Sequence, residues 1–216
     1  MRTLSFSGHD WVVKSSNGAR VGPGGNLFSD AGTAVWVDGE GALHLTIRRY
    51  QDAWHCAEVI AGPALGFGRY RFRVERELAF DRNVVAAMFL YLDDHHEIDI
   101  EVARFGSVHD PTNAQFAVQP MDRPPGGLLH RITLPSSWRP TIHEIDWRRD
   151  VVHFRCLTGA GDVVAAASTK RAVPFGALKA RVNLWLYAGS GTSGFPPSDG
   201  CEAELVIGSF DFASAS

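Results

Sequence analysis

Residues 69–75, Arg-Tyr-Arg-Phe-Arg-Val-Glu, alternate between charged and apolar side chains without a break. A strand turns successive side chains to opposite faces, so Tyr70, Phe72 and Val74 enter a core while Arg69, Arg71 and Arg73 face solvent. The same period recurs over residues 42–47, where Leu43, Leu45 and Ile47 oppose His44 and Thr46. Residues 151–157, 181–187 and 203–212 also read as strands, and the continuous apolar run 84–92 reads as a strand covered on both faces. No long stretch carries the period of an amphipathic helix. The pattern predicts an all-β domain of many short strands, closed as two packed sheets.

The chain has 216 residues and shows no repeat or linker, so residues 1–216 are read as one domain. Turn-rich breaks fall at 17–26, 122–127 and 189–200, which accounts for much of the 22 Gly and 11 Pro. With 45% hydrophobic and 21% charged residues the chain is not disordered. Its apolar runs are shorter than the roughly 20 residues that span a bilayer, so no membrane association is expected. A net charge of −3 offers nothing to a polyanion, so nucleic acid is not an expected partner. Cys56, Cys156 and Cys201 form no CxxC pair and no zinc knuckle, and whether two of them form a disulfide is open. The first residues, MRTLSFSGHDW, do not read as a signal peptide.

The chemistry concentrates in residues 93–105, DDHHEIDIEVARF. Glu97, Asp99 and Glu101 share one strand face, while Ile98, Ile100 and Val102 share the other. The isoleucines fix the register, because a slip of one residue buries three carboxylates. Acids held in a row raise one another's pKa, so at least one keeps a proton near neutral pH. A protonated carboxyl beside an ionised one is what glycoside hydrolysis uses. Residues i and i+4 lie about 13 Å apart along a strand, a gap that two glutamates leaning inward can narrow. A second reading of the segment is a metal row, because His95 has the parity of the three acids.

The run Glu97-Ile98-Asp99-Ile100-Glu101 resembles the ExDxE motif of glycoside hydrolase family 16, the lichenase and laminarinase family. Cys56-Ala57-Glu58, Gly66-Phe67-Gly68-Arg69-Tyr70, residues 84–91, Ala114-Gln115-Phe116 and Asn183-Leu184-Trp185 resemble further family segments in the same order, from about residue 22 to 212. The resemblance implies a concanavalin A-like β-jelly-roll of two curved antiparallel sheets with a cleft on the concave face. It implies retaining endo-hydrolysis of β-1,3- or mixed β-1,3-1,4-glucan, with Glu97 as nucleophile, Glu101 as acid/base and Asp99 assisting Glu97. Carried over residue by residue, Glu58, Tyr91, Gln115, Asn183 and Trp185 fall at cleft positions, and so does Asn26 in the Gly-Pro-Gly-Gly-Asn loop. No cofactor is required for this chemistry. The resemblance also implies a structural calcium ion near Asp211 and Gly41, since many relatives bind one through a C-terminal Asp and main-chain carbonyls. A polysaccharide is the expected partner and a monomer the expected state. Secretion suits such a substrate, although no leader is visible.

Several positions depart from the lichenase pattern. Ile60 stands where lichenases have an Arg, Ala117 and Gln119 replace an Asn and a Tyr, and His95-His96 replace a Trp-Asp pair. The half-cystine that pairs with the Cys56 position in lichenases is absent from residues 26–30, Asn-Leu-Phe-Ser-Asp. These changes leave two other readings open: a carbohydrate-binding jelly-roll without turnover, and the same hydrolysis on a galactan-type polymer.

Overall fold

The alternation of residues 69–75 is realised in β7 (Gly68–Val74) of the computed structural model, which describes residues 1–76, 79–121, 126–135, 137 and 139–215. Gly68, Tyr70, Phe72 and Val74 are buried, and the three arginines point outward. They are not simply solvated. Glu144, only 3% exposed on this outer face, lies 3.9 Å from Arg69 and 3.3 Å from Arg71, and Arg155 also pairs with it.

The strands make two layers. The cleft layer runs, in spatial order, β11 (Leu129–Ile132), β10 (Ala114–Val118), β9 (His96–Ala103), β8 (Val84–Asp93), β15 (Lys179–Leu186), β6 (Ala53–Ala61) and β2 (His9–Val13), with β1 (Thr3–Phe6) beyond β2. The outer layer runs β4 (Val35–Val37), β5 (Leu43–Tyr50), β16 (Ala203–Ser214), β7, β12 (Thr141–Trp147), β13 (Val152–Thr158) and β14 (Val163–Thr169). No helix occurs among the described residues. The expected jelly-roll of two antiparallel sheets is therefore present, with two refinements. The layers are continuous through the pairing of Arg48–Tyr50 with Ala53–His55, and β3 (Leu27–Phe28) adds one short parallel pair to β6.

The core lies between the layers. Phe116 of β10 stacks on Phe154 of β13 with ring centroids 5.0 Å apart, and Trp11 of β2 meets Phe210 of β16 edge-on at 5.1 Å. Aromatic pairs of this kind contribute about 0.5–1.5 kcal/mol each beyond the area they bury. Residues 84–90 of β8 are buried on both faces, as the continuous apolar run requires. All three cysteines are free, Cys56 and Cys156 buried and Cys201 exposed. Residues 122–125 of the turn expected at 122–127 lie outside the described residues.

Candidate active site

Ile98, Ile100 and Val102 are buried in the core, which turns Glu97, Asp99 and Glu101 to the opposite face of β9. Cross-strand register then decides what stands beside each acid, because directly paired residues share a face. Glu101 lies between Gln115 of β10 and Ala87 of β8, and the row continues through Asn183 of β15 to Glu58 of β6. Asp99 lies between Ala117 and Phe89, and its row continues through Arg181 to Ile60. Glu97 faces Tyr91, which faces Lys179. The triad forms one side of a cleft of about 360 Å³ whose lining also includes Lys14, Glu58, Tyr91, Arg181, Asn183 and Trp185.

The three acids are not equivalent. Burial first, then the charges of Glu97 and Glu101, push Asp99 well above the usual carboxylate range. Its hydrogen bond with Glu97 favours the protonated form of Asp99 and the ionised form of Glu97, so Asp99 donates and Glu97 accepts. Burial and then the Glu101 charge push Glu97 up to about 7. Burial also pushes Glu101 up to about 7, opposed by Gln115 and Arg131. Gln115 Nε2 donates to Glu101 Oε2 at 2.5 Å, and Arg131 Nη1 donates to Gln115 Oε1 at 3.3 Å. Arginine has no acceptor, so Arg131 fixes the amide orientation that aims the donor at Glu101. Arg131 is held in turn by Asp110 Oδ2 at 3.2 Å and by the Ala103 carbonyl at 3.0 Å.

The other side of the cleft differs from expectation. Glu58 is 1% exposed and its two oxygens are engaged, one by Lys14 Nζ at 2.7 Å and one by Arg181 Nη1 at 3.0 Å. Tyr91 lines the cleft, but the Arg181 guanidinium lies 4.3 Å over its ring and its hydroxyl donates to Asp94 Oδ1 at 2.8 Å. Asn183 lines the cleft with Oδ1 buried and without a hydrogen-bond partner in the protein. Trp185, half-buried, is a wall residue.

Asn26 does not reach the cleft. It is 2% exposed, and its Nδ2 donates to the carbonyls of Pro23 at 2.9 Å and Leu186 at 2.8 Å. It anchors the loop from beneath, and Gly22 and Pro23 do the lining. That loop interlocks with residues 189–195 so closely that a Cβ at Gly25 would stand 2.1 Å from the Thr192 carbonyl oxygen.

His95 does not join the acid row. It sits in the turn before β9, where its amide donates to Asp93 Oδ1. Asp211 is exposed on β16 with Arg71 directly across on the same face, and Gly41 lies in the turn before β5. A guanidinium opposite a single carboxylate is a poor start for the oxygen cage of calcium. Among the described residues no group of three or more His, Cys, Asp or Glu side chains is arranged to hold a metal.

Sequence reasoning passed over Lys14, Asp94, Arg131 and Arg181. Arg181 had a signal, as a charged residue of cleft parity two positions before Asn183. Lys14 and Arg131 had none, since each meets its partners only across neighbouring strands.

No family model and no curated protein matches the sequence. Solved structures match its fold. A β-glucanase of Bacillus licheniformis aligns with a TM-score of 0.70 at 16% identity, over 95% of this chain and 92% of that one. A β-1,3-1,4-glucanase (lichenase) from a mouse hindgut metagenome aligns with a TM-score of 0.68 at 18% identity, over 95% and 93%. A protein of Mycobacterium tuberculosis described as an immunostimulatory antigen and pseudo β-1,3-glucanase aligns with a TM-score of 0.69 at 17% identity, over 95% and 91%. The chain has the jelly-roll fold of these proteins along nearly its whole length.

Proposed function

We propose that this protein is a retaining endo-glycosidase acting on β-1,3- or mixed β-1,3-1,4-glucan. The observation that carries the reading is the geometry of the triad: Glu97, Asp99 and Glu101 stand on one face of β9 in the cleft wall, with Asp99 between the two glutamates and Glu101 held separately by Gln115. A retaining hydrolase needs one ionised carboxyl and one that keeps its proton, on either side of the scissile bond. Asp99 stabilises negative charge on Glu97, which suits Glu97 to attack the anomeric carbon. Glu101, with a pKa of about 7, gives its proton to the departing glycosidic oxygen. The same carboxylate then takes a proton from water as that water displaces Glu97 from the glycosyl-enzyme. Two displacements at one carbon retain its configuration. The Bacillus and metagenome neighbours, both described as glucanases, support β-glucan as the substrate class.

A second reading is glycan binding without turnover. The description of the M. tuberculosis neighbour as a pseudo β-1,3-glucanase favours it, as do the altered positions Ile60, Ala117 and Gln119. Reducing-end release from lichenan, laminarin and a galactan separates the readings. The hydrolase releases ends that Glu97→Gln does not, with that variant still folded by circular dichroism. A wild-type rate shared by Glu97→Gln, or no release from any polymer, overturns the assignment.

A further inference from the structure

Ile60 leaves the cleft without the arginine that lichenases carry two residues after the Glu58 position. The register places Arg181 of β15 directly across from Ile60 and on the same face. A guanidinium is thereby supplied to the same part of the floor by the neighbouring strand. It is held on two sides, by Glu58 at 3.0 Å and by the face of Tyr91 at 4.3 Å. With both oxygens engaged, Glu58 clamps Arg181 and Lys14 and has no free oxygen aimed at a sugar.

Two polar atoms on this floor lack protein partners. Arg181 Nε and Asn183 Oδ1 are both buried and unpaired. Buried polar atoms are normally hydrogen-bonded, so an unpaired donor and an unpaired acceptor in the lining of one cleft point to a ligand. The two residues are neighbours on one strand face, about 6.6 Å apart. Hydroxyls both donate and accept, which suits them to such a pair. The charges argue against an anionic substituent. Lys14 and Arg181 are balanced by Glu58 and Asp94 on the same wall, and the triad adds only negative charge.

We propose that Arg181 is a substrate-binding, specificity-determining residue whose guanidinium, clamped between Glu58 and Tyr91 in the cleft lining, donates to a hydroxyl of an uncharged glycan. The inference rests on the glycosidase reading only for which polymers it names, and its test needs no turnover. The Glu97→Gln chain is run on affinity gels containing laminarin, lichenan or carboxymethyl-laminarin, alone and with Arg181→Met or Arg181→Lys added. Laminarin or lichenan retards the parent, Arg181→Met weakens that binding about tenfold or more, as loss of a charged hydrogen bond does, and Arg181→Lys retains part of it. Arg181→Met leaves Glu58 with Lys14 alone, so Glu58→Gln/Arg181→Met, which removes both charges, guards against misfolding and loses binding equally. Unchanged retardation in either Met variant overturns the inference. So does stronger retardation by carboxymethyl-laminarin, or a parent that no gel retards. Retardation without hydrolysis by the wild type counts against the proposed function alone.

Discussion

Gln115→Met isolates the contact that tunes Glu101. The methionine keeps the length of the side chain and removes the Nε2 donor that stands 2.5 Å from Glu101 Oε2. Hydrogen bonds to charged groups contribute about 1.5–3 kcal/mol, which corresponds to about 1–2 pKa units. The lost donor stabilised the ionised form, so the pKa of Glu101 rises from about 7. As the acid that protonates the leaving oxygen, Glu101 is inactive once ionised in the first step. The alkaline limb of kcat/KM therefore moves up by about 1–2 pH units in the variant. Arg131 keeps Asp110, Thr112 and the Ala103 carbonyl as partners, so the fold tolerates the change. Initial rates of reducing-end release across neutral and alkaline pH measure the limb directly. Arg131→Met gives a smaller upward shift, since the Arg131 charge lowers the Glu101 pKa less than the Gln115 hydrogen bond does. An alkaline limb that stays in place or moves down in Gln115→Met refutes the assignment of Glu101 as the proton donor tuned by Gln115.

Two further outcomes follow from the same geometry. Glu97 and Glu101 titrate at about 7 in the fold against 4.5 for an unperturbed glutamate, so the folded state holds protons that the unfolded chain has released. Stability then falls as pH rises from about 4.5 through 7, and Glu97→Gln raises Tm at pH 8 by about 7 °C, with little change at pH 4; an equal effect at both pH values contradicts the raised pKa. Gly25 adopts φ +60°, and its substitution by Ala drives a Cβ against the Thr192 carbonyl. Gly25→Ala lowers Tm, at a cost of about 1–3 kcal/mol for the strained backbone, and raises KM because Gly22 and Pro23 shift; a lower Tm with unchanged KM shows that this loop does not shape the cleft.

Strands over residues 42–47, 69–75, 84–92, 151–157, 181–187 and 203–212 were legible in the sequence, as was the alignment of Glu97, Asp99 and Glu101 on one strand face. These are properties of period two along a single segment, and the buried Ile98 and Ile100 leave one register open to it. The motif order carried the resemblance as far as the jelly-roll and the cleft positions Glu58, Asn183 and Trp185. What surrounds those positions was decided by tertiary structure. Arg181 is opposite Ile60, and Gln115 opposite Glu101, only because strands distant in the chain are adjacent in the sheet. Glu58 reads as a sugar-binding acid until Lys14 and Arg181 are seen to occupy both its oxygens. Asn26 reads as a cleft residue until its amide is found beneath the loop, on the carbonyls of Pro23 and Leu186. Side-chain pairing across strands sets both the charge on each acid and the groups that remain for a ligand, and no local pattern encodes that pairing.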